Sequence, residues 1–137
     1  MKILKNRNPA VPGFKAAGLD CGIKDNRIKD LALIISESPA TAAAVFTKNR
    51  VVSPGVTWSR RALGKSGSCR AVIVNSGNAN AGTGKKGLED AYKTCEILAL
   101  KLGIEPEQIL PFSTGVIGRL LPLEPFEKST NKLIENL

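Results

Sequence analysis

Residues 69–75 (CRAVIVN) constrain the chain most: they are β-branched, apolar and bounded by turn-forming residues, the pattern of a buried strand. After a loop rich in Gly and Asn, Leu88, Ala91, Cys95, Leu98 and Leu102 recur at spacings of three and four. That spacing predicts a helix over residues 85–102 with one apolar face. Gly103 follows as its C-terminal cap. Residues 109–113 then read as a short strand. A strand, a helix and a strand in succession call for a sheet with helix packed on it.

The flanking segments extend this pattern. Pro9, Pro12 and Gly13 make residues 1–13 an irregular lead-in. Residues 14–23 form a candidate strand weakened by Gly18 and Gly22, ending in a turn at residues 24–26. Residues 30–37 (DLALIISE) are a short apolar run expected to be a buried strand. Residues 40–48 (ATAAAVFTK) are expected to be its antiparallel neighbour, with Ser38-Pro39 as the tight connection, although the alanines leave a helix open. A short helix is expected at residues 57–63, after the break at Pro54 and Gly55, and a last one at residues 126–137, through Phe126, Leu133 and Leu137. Strands that come both in adjacent pairs and alternating with helices predict an α/β fold, a mixed sheet with packed helices, in one domain over residues 1–137. The apolar helical pattern runs to the last residue, so a further part is expected beyond it.

A chain of 137 residues buries about two-thirds of the surface of its unfolded form. Only 4% of it is aromatic, so the core must be built from Ala, Val, Ile and Leu. Histidine is absent, which removes a Ser-His-Asp triad, a Cys-His pair and any His-ligated metal site from this chain. Cys21, Cys69 and Cys95 are far apart and form no Cys-x-x-Cys, so neither a disulfide framework nor a zinc site is suggested, and no metal is expected. The N-terminus lacks an apolar stretch of signal-peptide length, and no segment approaches the roughly 20 apolar residues of a membrane span. A soluble, cytoplasmic protein is the expectation.

The net charge of +8 is uneven: residues 1–65 hold 12 Lys/Arg against 4 Asp/Glu, whereas residues 66–137 hold 8 against 8. The basic set Lys48, Arg50, Arg60, Arg61, Lys65 and Arg70 suits an anionic ligand, a nucleic acid or an acidic partner. Nucleic acid is disfavoured because Trp58 is the only nearby aromatic side chain for stacking. A solvated face is the plainer reading.

Two motifs bear on chemistry. Residues 113–118 (STGVIG) follow a strand directly, and two glycines within four residues let backbone N–H groups approach a ligand. Acyl transfer needs such donors aimed at the oxygen that becomes negative, and the Gly115 N–H and Thr114 hydroxyl are candidates. The bland alternative is a strand-to-loop turn with glycine for steric reasons. Residues 75–87 (NSGNANAGTGKKG) are rich in polar groups ahead of a helix, whose N-terminus favours anions. Gly82, Gly84 and Gly87 match a dinucleotide fingerprint in letters, but they lie too far beyond the strand and no acidic residue follows in place. Nor is this a phosphate-binding P-loop, because Lys86 stands where Ser or Thr is required. No cofactor is expected to be bound. No serine sits in a Gly-x-Ser-x-Gly elbow and the cysteines lie in strand or helix patterns, so the chain offers a stabiliser without a nucleophile.

Taken together these segments resemble the bifunctional ornithine acetyltransferase / glutamate N-acetyltransferase family of arginine biosynthesis, in its N-terminal half and over nearly the whole chain. The resemblance rests on Gly18 with residues 30–34 (DLALI), on residues 43–49 (AAVFTKN), on residues 75–81 (NSGNANA) with Thr83-Gly84, and on residues 113–118 (STGVIG) with Leu121-Pro122. Ser53-Pro54-Gly55-Val56 departs from the family's more usual Ala-Pro-Val.

The resemblance implies a precursor that cuts itself, freeing an N-terminal threonine on a second chain. That threonine attacks the acetyl group of N-acetylornithine, its own amine serving as base, and glutamate then takes the acetyl group. Some family members also use acetyl-CoA, which makes it a candidate co-substrate. Thr114 and Gly115 align with the family's oxyanion-hole pair. The self-cleavage segment and most substrate-binding residues of the family are not in this sequence, and Ala40-Thr41 is a chance match to the cleavage junction. The implied partner is the C-terminal (beta) chain, in a hetero-oligomer of two alpha and two beta chains. The implied fold is one layer set of an αββα-type sandwich completed by the C-terminal part, and this chain alone is expected to be inactive. The rival from another class is a non-catalytic fragment or interaction module that docks through its basic half.

Overall fold

The computed structural model describes residues 11–25 and 27–137. The lead-in expected at residues 1–13 falls largely outside these, as does Asn26 of the expected turn. The elements are, in order, β1 (Phe14–Leu19), β2 (Leu31–Thr41), α1 (Pro54–Ser66), β3 (Ser68–Asn78), α2 (Gly84–Leu102), a 3-10 turn (Pro106–Gln108), β4 (Ile109–Val116) and α3 (Glu124–Glu135). The strands form one mixed sheet in the order β1-β2-β3-β4. The first two pairings are antiparallel and β3 with β4 is parallel, joined by the crossover through α2.

The sheet is two-faced. Leu31, Leu33, Ala71, Ile73 and Ile109 are each at most 2% exposed and meet Cys95 and Leu98 of α2, Trp58 of α1 and Phe126 and Leu133 of α3. Burying each Leu, Ile or Phe contributes about 1.5–3 kcal/mol. Trp58 anchors α1: its indole N–H donates to the Ile109 carbonyl at 3.0 Å, and its ring meets Tyr92 edge-on with centroids 5.3 Å apart. The opposite face is uncovered and apolar, with Phe14 46%, Ile34 45% and Phe112 52% exposed.

α2 ends as expected, with Gly103 left-handed and its N–H bonded to the Ala99 carbonyl. The expected face is buried at Ala91, Cys95 and Leu98, with Leu102 packed against the core, but Leu88 is 38% exposed and Gly87, Asp90, Thr94 and Ala99 are buried instead. The small Gly87 sits where α2 approaches Asn80, which a Leu would not allow.

The expected hairpin at Ser38-Pro39 does not form. β2 runs through it to Thr41, with a register shift between Ile35 and Ala40, and Ala40 and Thr41 still pair with β3 at Cys69 and Ser68. β3 is 11 residues long, and Ser68 and Cys69 at its start give the end of β2 its partners. Pro39, which has no N–H to give a ladder, falls inside the irregularity, where it is tolerated. Residues 42–50 then carry no regular strand or helix.

Candidate active site

The Thr114-Gly115 segment is part of a strand, not of a loop after one. β4 continues past Ser113 to Val116 because β3 also continues, past Asn75 to Asn78. Ser76 lies opposite Thr114 and Gly77 opposite Gly115; the ladder then becomes irregular, with Asn78 facing both Thr114 and Val116. Gly115 has φ 135° and Gly77 has φ 101°, values that L side chains rarely adopt. A β-carbon on Gly115 would also lie 2.6 Å from the Asn78 nitrogen and 2.7 Å from the Gly77 oxygen. Glycine is therefore demanded here by backbone meeting backbone. A local break in a ladder re-aims the groups beside it.

Gly77 is pressed from its other side by the chain between β1 and β2. A β-carbon there would lie 2.9 Å from side-chain carbons of Ile23 and Lys24. Asp30 holds that loop in place: its buried carboxylate accepts the N–H of Cys21 at 2.7 Å and of Lys24 at 2.9 Å, and its own carbonyl accepts the Ser76 N–H at 2.8 Å. Burial raises the Asp30 pKa, but the backbone donors of Cys21 and Lys24 outweigh it and hold the carboxyl below its ordinary value. Gly77 packs directly behind Gly115 and Asp30 holds the loop behind Gly77, contacts that the sequence reading did not anticipate. The carboxylate just before an apolar strand was the available signal for Asp30.

Register also fixes which way Thr114 faces. Ile73 and Asn75, with their partners Pro111 and Ser113, lie on the helix side, so Phe112 and Thr114 lie on the uncovered side. Thr114 and Gly115 are both exposed. A cleft of about 250 Å³ between residues 44–47, the start of α1 and β4 reaches Phe112 and Ser113, next to Thr114.

The glycines of the second motif have a packing explanation. A β-carbon on Gly87 would lie 2.7 Å from Asn80 Oδ1 and collide with Thr83. Asn80 Nδ2 donates to the Gly87 carbonyl at 2.9 Å and Asn80 Oδ1 accepts the Thr83 hydroxyl at 2.9 Å, so this stretch fastens the start of α2. Lys86 pairs with the buried Asp90 one turn on.

Three of the six basic residues are engaged within the chain. Arg60 lies 5.2 Å over the Phe46 ring, Lys65 pairs with Glu107 at 2.9 Å, and Arg70 donates to the Ser36 carbonyl at 3.0 Å. Trp58 is 5% exposed and has no free face for base stacking. Cys69 and Cys95 are buried, and burial pushes both thiols up. Cys21 is half-buried in the loop that Asp30 holds, its thiol pushed up to about 12 by burial and by Asp30. None of the three is an activated nucleophile. Among the described residues no three Asp, Glu, Cys or His cluster as metal ligands, and no helix is long and apolar enough to cross a membrane.

The ArgJ family model matches residues 15–137. The chain belongs to the ArgJ family. It is 44% identical over 136 residues to the arginine biosynthesis bifunctional protein ArgJ of Synechocystis, a match covering 99% of this chain and 33% of the relative. The ArgJ protein of Streptococcus thermophilus is 42% identical, with 34% of its length covered. The chain thus spans about a third of the length of these relatives. Among solved structures, the ArgJ protein of Bacillus halodurans matches with a TM-score of 0.83 and 40% identity, covering 88% of this chain and 63% of that one. Ornithine acetyltransferase of Mycobacterium tuberculosis, in complex with ornithine, matches with a TM-score of 0.85 and 38% identity, covering 90% and 67%. The mixed four-stranded sheet with its three helices is thus an ArgJ fold, and the resemblance read from the sequence holds.

Proposed function

We propose that this chain is the N-terminal part of an acetyltransferase of arginine biosynthesis that moves acetyl from N-acetylornithine to glutamate, and that it contributes the oxyanion hole. What supports this is the family match over residues 15–137 together with the exposure of Thr114 and Gly115 on the uncovered side, where the β3–β4 ladder becomes irregular. A nucleophile held by the C-terminal chain would attack the acetyl carbonyl from that side. As the carbon becomes tetrahedral its oxygen gains negative charge, which the Gly115 N–H and Thr114 hydroxyl stabilise. Collapse of the intermediate expels the ornithine amine, and the glutamate amine then takes the acetyl group from the nucleophile. The C-terminal part would also lay a second sheet on the uncovered apolar face, completing an αββα sandwich. Two alpha and two beta chains, a cytoplasmic location and acetyl-CoA as a second donor belong to the same proposal.

The test is a full-length enzyme in which this chain replaces the first third of the Synechocystis relative. It is expected to transfer acetyl from N-acetylornithine to glutamate, whereas this chain alone is not. Thr114→Val, which keeps the shape and removes the hydroxyl, should lower kcat by about a hundredfold or more. A rate within a few-fold of the parent refutes the role of Thr114, and transfer by this chain alone refutes the need for a second part. The rival reading, docking through the basic half, gains little from Arg60, Lys65 and Arg70, since all three are tied down within the chain.

A further inference from the structure

Asn78 is 1% exposed, yet the segment it touches lies open to solvent. Its side-chain amide donates to two consecutive carbonyls, Arg119 at 3.2 Å and Leu120 at 2.9 Å. Its side-chain oxygen accepts the Asn80 N–H at 2.7 Å, and its backbone carbonyl accepts from Asn75 Nδ2 at 2.9 Å. The carboxamide is thereby locked from its own side before it reaches across to residues 119–120. Two further bonds tie the same limb: Ala79 N–H to the Val116 carbonyl at 3.0 Å, and Gly118 N–H to the Ala81 carbonyl at 2.7 Å.

Residues 114–120 are all exposed, so side-chain packing does little to fix their conformation. Hydrogen bonds to a rigid neighbour must do so, and among the described residues Asn78 is the one buried side chain that grips the limb returning from Gly115. We propose that Asn78 is a positioning residue: by holding the Arg119 and Leu120 carbonyls it fixes the Thr114–Leu120 limb and so the aim of the Gly115 N–H and Thr114 hydroxyl. The effect on catalysis rests on the acetyl-transfer reading above; the effect on the limb does not. Asn80 supplies a control. It is 2% exposed and two residues away, but its amide holds the Gly87 carbonyl and its oxygen the Thr83 hydroxyl, both at the start of α2.

The first experiment is hydrogen exchange on this chain, comparing Asn78→Ser with Asn80→Ser. Serine retains a single donor on a shorter side chain and is less disruptive than Asn78→Asp, which would turn a carboxylate toward two carbonyls. In Asn78→Ser the amides of residues 115–121 should exchange faster than in Asn80→Ser, by about tenfold or more, with the β2 amides unchanged in both. Equal exchange of that limb in the two variants overturns the proposal. The second experiment uses the full-length enzyme described above. There Asn78→Ser should lower kcat about tenfold or more while KM for N-acetylornithine stays within about threefold, and Asn80→Ser should keep a near-parental kcat. A change confined to KM, or the same kcat loss in both variants, also overturns it. An inactive parent enzyme would instead count against the acetyl-transfer reading, and hydrogen exchange would still decide whether Asn78 holds the limb.

Discussion

Gly115 and Gly77 touch through their backbones: no β-carbon can be placed on Gly115 without lying within 2.7 Å of the Gly77 oxygen. The pair joins the two parallel strands where the ladder loses its regular register. Gly115→Ala therefore carries two costs, a strained φ and a steric collision, each of about 1–3 kcal/mol. A denaturant midpoint shifted by that amount is expected. A midpoint equal to the parent's would mean that the strands part easily, and the rigid Gly77–Gly115 contact would have to be abandoned.

Trp58 gives a test of the helix layer that is independent of the site. Its indole N–H satisfies the Ile109 carbonyl at the start of β4, inside the core. Trp58→Phe keeps most of the apolar contact and leaves that carbonyl only the weak Cys95 thiol donor at 3.7 Å. The expected loss is about 1–3 kcal/mol in thermal or chemical unfolding. No measurable loss would mean that the indole N–H is not what satisfies the Ile109 carbonyl, the Cys95 thiol being enough.

Asp30 makes stability depend on acid in a definite direction. Its folded pKa lies below its ordinary value, so the unfolded state binds the proton more readily. Its contribution is fully present above about pH 4, the unfolded value, and fades as pH falls through that value toward the lower folded one. Asp30→Asn should thus be clearly less stable than the parent at neutral pH, with the gap closing below about pH 4. A gap that stays constant down to pH 3 would show that the carboxylate's charge is not what the loop uses.

Cys21 should be sluggish toward alkylating reagents despite being half-buried rather than sealed. With its thiol pushed up to about 12, roughly one molecule in ten thousand carries the thiolate at pH 8. Iodoacetamide should label it far more slowly in the folded chain than in denaturant, where a cysteine titrates near 8.5. Asp30→Asn, which removes the neighbouring charge, should speed the labelling. Folded-state labelling as fast as in denaturant would contradict the packing of residues 21–24 on Gly77.

What the sequence determined by itself was whatever depends on near neighbours. The apolar run 69–75, the helix ending at Gly103, the strand from Ile109 and the final helix through Phe126 and Leu133 follow from side-chain periodicity and capping. These are local rules, and a single sequence carries them. The Ser113–Gly118 motif was visible too, as residue types suited to presenting N–H groups.

The tertiary structure decided where the elements stop and which way the site faces. Ser38-Pro39 has the letters of a tight turn, but the edge of β3 offers Ala40 and Thr41 partners and the strand runs on. Thr114 and Gly115 have the letters of a loop, but Ser76 and Gly77 draw them into the sheet. The roles of Asp30 and Asn78 depend on carbonyls and N–H groups up to 42 residues away in sequence, which no local pattern records. Hydrogen-bond partners supplied by a strand distant in sequence outweigh local turn preference at both places, because a held ladder offers each backbone N–H and C=O a partner that the local sequence does not.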